Sequence, residues 1–267
     1  MKYMITMFKT SLIGGMQYRA AAWAGIATQF FWGFMQIMIF EAFYAHSNAP
    51  MPMSFEQLCT YIWLQQAFLG VIEMWSRDNV LFDMITSGNV AYEFCRPHSI
   101  FAMWYARLLG TRVAKAALRF APVLILSLVL PKPYGLMMPQ STAQIVLFFI
   151  SIAVSALLCT AIGMLCYILT FKTMSPLGSM TLFSVVSEFF SGSLIPIPYM
   201  PDAVQTIAYI LPFRYTADLP FRLYNGTISV TDGAVQIIIA LLWLAAILMI
   251  GAFWMKQVSK KLVVQGG

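Results

Sequence analysis

From residue 143 to residue 171 the chain runs without one charged side chain, and it does so again from 234 to 255. A bilayer core about 30 Å thick takes roughly 20 apolar residues as a helix, so each run is long enough to cross. A water-soluble fold has no place for them. Of the 267 residues 60% are apolar and 10% charged, against about 25% charged in a soluble domain, and the surface of such a fold would lack polar cover. The expected class is an all-α membrane protein.

The hydropathy pattern predicts six transmembrane helices over about 20–40, 55–75, 107–130, 143–171, 177–195 and 234–255. Residues 1–19, with Lys2, Lys9 and Arg19 among apolar residues, read as an amphipathic interfacial helix. They show no short apolar core with a small-residue cleavage site, so the first segment is expected to stay. Ser54 and Gln57 form a capping box that starts the second span. Residues 76–106 are a polar interval punctuated by Gly88 and Pro97. In the third span Arg112, Lys115 and Arg119 share a face and are expected to snorkel to the interface, and Pro122 to kink the helix. Residues 196–233 are broken by Pro196, Pro198, Pro201, Pro212 and Pro220 yet remain apolar, which predicts a re-entrant region of short half-buried helices. With both termini in the cytoplasm, every Lys and Arg except Lys132, Arg214 and Arg222 falls inside, as the positive-inside rule requires. The net charge of +6 is thus a topology signal and not a nucleic-acid footprint.

Catalytic chemistry is not visible. There is no Walker A sequence, no HExxH and no GxSxG. Cys59, Cys95, Cys159 and Cys166 form no CxxC, and His46 and His98 fall on opposite sides of the membrane. The expectation is no enzyme, no catalytic residue and no metal. Glu188 is the acid well inside an apolar span, and Thr181, Ser184 and Ser191 share its face. That stripe fits a substrate path or an interhelical hydrogen-bond stripe equally in spacing. Gln66 shares a face of the second span with Glu73, which stands four residues before Arg77 and is expected to pair with it. Gln29 and Gln36 share a face of the first span, where interhelical hydrogen bonding is the default. Ala102, Ala106, Gly110 and Ala114, and likewise Ser155, Cys159 and Gly163, form small-residue ridges. These serve either internal packing or a subunit contact.

Two stretches carry a family resemblance. Ile85-Thr-Ser-Gly-Asn-Val-Ala-Tyr-Glu-Phe-Cys-Arg-Pro97 is similar to the I-x-x-G-x-(V/I)-x-x-x-(L/F)-x-(R/K)-P pattern in the cytoplasmic interval of type-2 ABC exporter permeases. Phe190-Ser-Gly-Ser-Leu-Ile-Pro-Ile-Pro-Tyr-Met-Pro201, continuing to Leu211-Pro-Phe-Arg-Tyr215, resembles the segment after their fifth span. The order of parts agrees over essentially the whole chain, and the closest likeness is to the viologen-exporter-like branch.

The resemblance implies a single permease domain over 1–267, with a coupling helix that docks on an ATPase subunit. It assigns that coupling to Ile85, Ser87, Gly88, Asn89, Val90, Arg96 and Pro97, and the re-entrant motif to Gly192, Pro196, Pro201 and Pro212. It implies two ATPase subunits holding ATP and Mg, no cofactor on this chain, and a second permease, identical or homologous. The setting is a bacterial-type inner membrane, and the cargo a hydrophobic or amphipathic substrate leaving the cytoplasm or inner leaflet. The rival expectation is an ion-gradient-driven secondary transporter. It calls for midplane ionisable pairs and internal repeats, whereas Glu188 stands alone and no repeat is visible.

Overall fold

The computed structural model describes residues 2–46, 50–95 and 98–260, with Arg19 and Ala21 by their backbone alone. Arg96 and Pro97 of the coupling motif, and Lys261 of the basic tail, lie outside the described residues. Among the described residues every regular element is helical. The order is α1 (Lys2–Met16), α2 (Arg19–His46), α3 (Phe55–Ala67), α4 (Leu69–Ile72), α5 (Asn79–Thr86), α6 (Ala91–Phe94) and α7 (Ile100–Val129). Then come α8 (Thr142–Thr173), α9 (Pro176–Ser191), α10 (Asp202–Ile210), α11 (Asp218–Tyr224) and α12 (Val230–Ser259). Tight helical turns at Ile197–Tyr199 and Pro212–Thr216 flank α10.

Among the described residues three helices are long and apolar enough to cross a bilayer: α2 from Ala22, α8 and α12. Helix α7 matches them in length at 30 residues and continues through Pro122, but it carries Arg107, Arg112, Lys115 and Arg119. It also begins at Ile100, inside the stretch expected to be a polar interval. The expected second span is broken. Phe68 interrupts it, α4 ends at Ile72, and Glu73 is extended (φ −58°, ψ 133°). Helix α9 has 16 residues, about 24 Å at 1.5 Å per residue, because Gly192 turns left-handed at φ +83°. The capping box is formed as read: Gln57 N donates to Ser54 Oγ (3.2 Å) and Ser54 N to Gln57 Oε1 (2.9 Å).

Between helices in lipid there is no hydrophobic push, so close packing and hydrogen bonds hold the bundle. Helix α3 is its centre, buried from Leu58 to Ala67. Trp63 packs on Phe30 and Phe34 of α2 and donates Nε1–H to the Tyr134 carbonyl (2.7 Å). Helix α1 runs along α7. Tyr3 stacks on His98, the Phe8 backbone meets Gly110, and Gly15 meets Ala114. The small ridge of α7 therefore serves internal packing. On α8, Ser155 Oγ donates to the Thr216 carbonyl (2.5 Å) and Cys159 faces the Ile72 carbonyl, while Gly163 has open space beside it. Large apolar side chains that remain outside, such as Phe31 and Met38 on α2 and Leu242, Met249 and Phe253 on α12, are exposed, as suits a lipid-facing surface.

The irregular region after α9 is held by polar contacts. Tyr61 Oη donates to the Gly192 carbonyl (2.9 Å), and Gln65 Nε2 to that of Ser193 (2.5 Å). Gln57 and Asn225 each donate a side-chain amide to the other's carbonyl. Buried Asp218 sits 3.4 Å from Arg222 and 4.0 Å from Arg214, and Arg214 also donates to Gln236. Lys132 pairs with Glu56 at 3.3 Å. Each basic residue read as lying outside thus has an acid beside it.

Candidate transport cavity and cytoplasmic lever

Helix α2, the broken α3–α4 pair, α7 and the end of α9 enclose a cavity of about 500 Å³. Its polar lining is Gln29, Gln36, Gln65, Gln66, Glu73, Arg119, Glu188 and Ser193, and its apolar lining includes Trp32, Leu69, Ile72, Trp75 and Leu194. Of the stripe read on the fifth span, Glu188 reaches this cavity. Thr181, Ser184 and Ser191 are not in its lining. Ser184 Oγ donates to the Met180 carbonyl of its own helix, and Ser191 Oγ to that of Glu188. Gln66 lines the cavity and donates Nε2–H to Gln36 Oε1 (3.2 Å). The interhelical bond expected of Gln36 is therefore present. Gln29, 2% exposed, has neither amide atom partnered.

The local pair expected between Glu73 and Arg77 is replaced by a tertiary one. Glu73 Oε1 accepts from Lys115 Nζ at 2.9 Å. The i,i+4 geometry needs continuous helix, and the helix has ended at Ile72. Arg112 donates to the carbonyls of Val71 and Glu73 at the helix end, and Lys115 to Ser76 Oγ. These α7 side chains, expected to snorkel, instead clamp the chain that leaves α4.

That clamp continues into the interval before α7. Asp78 accepts from Val80 and Leu81 as the N-cap of α5, and it also binds Arg107 through two bonds of 2.6 and 3.0 Å. Tyr167 of α8 accepts from Asp78 N (2.8 Å), and its ring stacks on Phe82 at 4.4 Å. Two bidentate oxygens on a guanidinium fix direction as well as distance, so α5 is anchored at its start to both α7 and α8. At its end Ser87 and Gly88 turn the chain, with Gly88 at φ +80°, and Val90 N donates back to the Met84 carbonyl (3.0 Å).

The residues that the resemblance assigns to coupling divide by burial. Ile85 and Val90 are buried in the cluster of Leu81, Phe82, Trp104 and Tyr167, so they hold the turn. Ser87 and Asn89 are exposed. Tyr92 is 74% exposed on the next turn and was not singled out in the sequence. Nor were Trp32 and Gln65 of the cavity, and Gln29 and Arg119 were read only for interhelical bonding and snorkelling, because their convergence depends on how four helices pack. In the re-entrant motif, Pro196 and Pro212 are buried at starts of the tight turns, and Pro201 is exposed at the start of α10. Proline suits these positions because the first amides of a helical turn need no internal partner.

The helical bundle thus carries a polar cavity between its helices and, on one side, a short helix anchored to α7 and α8. Residues 91–254 match the family described as ABC-2 family transporter protein, and the chain belongs to that family. No curated protein matches the chain. Members of this family are membrane permease components that generally work with an ATPase subunit.

Proposed function

We propose that this chain is the permease subunit of an ATP-driven exporter of the viologen-exporter-like branch. It crosses an inner membrane six times, with both termini in the cytoplasm. The broken α3–α4 pair and the short α9 complete the set that α2, α7, α8 and α12 begin. Two permeases, identical or homologous, stand over two ATPase subunits that hold the ATP and Mg. Movement of the ATPases pushes on the α5–α6 interval. An amphipathic or hydrophobic substrate leaves through the cavity lined by Gln66 and Glu188.

The observation that carries this reading is the bracing of α5. The Asp78–Arg107 pair and the Tyr167 contact join its N-terminus to two long helices. A push on the exposed turn at Ser87, Asn89 and Tyr92 is thereby transmitted to the bundle and not absorbed by a loose loop. Transmission of motion requires such a stiff element with few hinges.

The test is to purify the tagged chain from its native membrane and follow what travels with it. The expected companion is a soluble subunit bearing a Walker A motif, with vanadate-sensitive ATPase activity in the complex. Replacing Asn89→Asp and Tyr92→Ala together is expected to release that subunit while the permease keeps its elution position and thermal midpoint. Absence of any ATPase in several mild detergents overturns the reading. So does transport that survives ATP depletion and stops when the proton gradient collapses.

A further inference from the structure

Several charges in this chain form closed pairs: Asp78 with Arg107, Glu73 with Lys115, Glu56 with Lys132, and Asp218 with Arg214 and Arg222. On the central cavity two are open. The Glu188 carboxylate and the Arg119 guanidinium both line it, yet among the described residues neither has a hydrogen-bond or ion-pair partner, not even the other. Gln29 lines the same cavity, 2% exposed, with both amide atoms unpartnered. An unpaired charge or amide inside an apolar bundle is costly. Two opposite charges without a partner and an unpartnered buried amide open onto one cavity, an arrangement set for a ligand.

Resting on the exporter reading, we infer that the cavity receives a zwitterionic amphiphile. Glu188 takes its cationic group, Arg119 its anionic group, and Gln29 a hydrogen-bonding group that lies with them. The half-exposed rings of Trp32 and Trp75 cover its apolar part, and aromatic faces also favour the cationic end. A ligand with one charge would satisfy one of the two residues and bury the other unpaired, which cancels much of the gain. The volume of about 500 Å³ suits a small amphiphile. Arg119 also lines a second cavity, of about 660 Å³, beneath α1, together with Arg107 and Lys115. The anionic end therefore meets the shared guanidinium first when the ligand enters from the α1 side.

The experiment uses the purified full chain in an uncharged maltoside detergent, with no ATPase present. The probes share one alkyl tail: dodecylphosphocholine, dodecyltrimethylammonium and dodecyl phosphate. Binding is read as a change in tryptophan emission that is lost in a chain with Trp32→Phe and Trp75→Phe. The zwitterion is expected to bind at least about tenfold tighter than either singly charged probe, the scale of one charge-assisted hydrogen bond. Arg119→Gln is expected to abolish its advantage over the cation, and Glu188→Gln its advantage over the anion. The exchange Arg119→Glu with Glu188→Arg keeps the net charge and is expected to restore the preference. A wild-type chain without the preference overturns the inference. So do single variants that weaken all three probes equally, since a packing role would do that. Because no ATPase takes part, failure here leaves the exporter reading standing, and failure of the co-purification leaves this result intact.

Discussion

Gly192 and Gly88 have nearly the same backbone conformation, φ +83° and +80°, but very different surroundings. An L side chain in the left-handed region costs about 1–2 kcal/mol. At Gly88 an added Cβ meets nothing within 4 Å, so Gly88→Ala is expected to cost about 1–2 kcal/mol and no more. At Gly192 the same Cβ would lie 2.8 Å from Tyr61 Oη and 3.3 Å from Asp218 Cβ and Ile197 Cγ1. Tyr61 cannot swing away, because it is fully buried and its hydroxyl is bonded to the Gly192 carbonyl. Overpacking adds about 1–3 kcal/mol, so Gly192→Ala is expected to cost roughly 2–5 kcal/mol in all. At about 2–4 °C per kcal/mol, the thermal midpoint of the purified chain, read by tryptophan fluorescence, should fall roughly 5–20 °C. Tyr61→Phe removes the clashing oxygen. By itself it should cost about 1–3 kcal/mol for the carbonyl left unpaired. Combined with Gly192→Ala, its cost should be smaller, because it relieves the clash. The reasoning is refuted if Gly192→Ala costs no more than Gly88→Ala, or if the two Gly192 and Tyr61 changes simply add.

The remaining predictions concern charge. Asp218→Asn leaves Arg214 and Arg222 facing a neutral group in a buried site and is expected to lower stability by about 3 kcal/mol, visible in the same melting assay. Lys132→Ala breaks a pair whose lysine is 90% exposed, and its effect should stay within about 0.5 kcal/mol. Asp78→Asn keeps the cap on α5, since Asn caps as well as Asp, but removes the charge facing Arg107. The expected result is a folded chain that still binds its ATPase while transport-linked ATP hydrolysis falls. Unchanged coupling in that variant would show that the brace at α5 does not transmit the push.

How much of this was legible beforehand follows from how local each feature is. A membrane span must satisfy its own backbone within the segment, so α2, α8 and α12 announce themselves through hydropathy alone. The capping box at Ser54 and Gln57 spans three residues and was readable too; Gly88 was readable as a break, but the left-handed backbone of Gly88 and Gly192 was not. Where helices stop short was not. The break at Phe68 and the end of α4 accompany contacts from Arg112 and Lys115, about forty residues away in sequence, and that is why Glu73 pairs with Lys115 and not Arg77. Likewise the ridge of α7 told that something approaches closely, but not that α1 does. The capacity to sit in a membrane was thus determined by composition along short windows. The cavity, with Arg119 on α7, Gln29 on α2 and Glu188 on α9 brought to its lining, was decided by tertiary packing, because no periodicity within a single helix records which face of another it will meet.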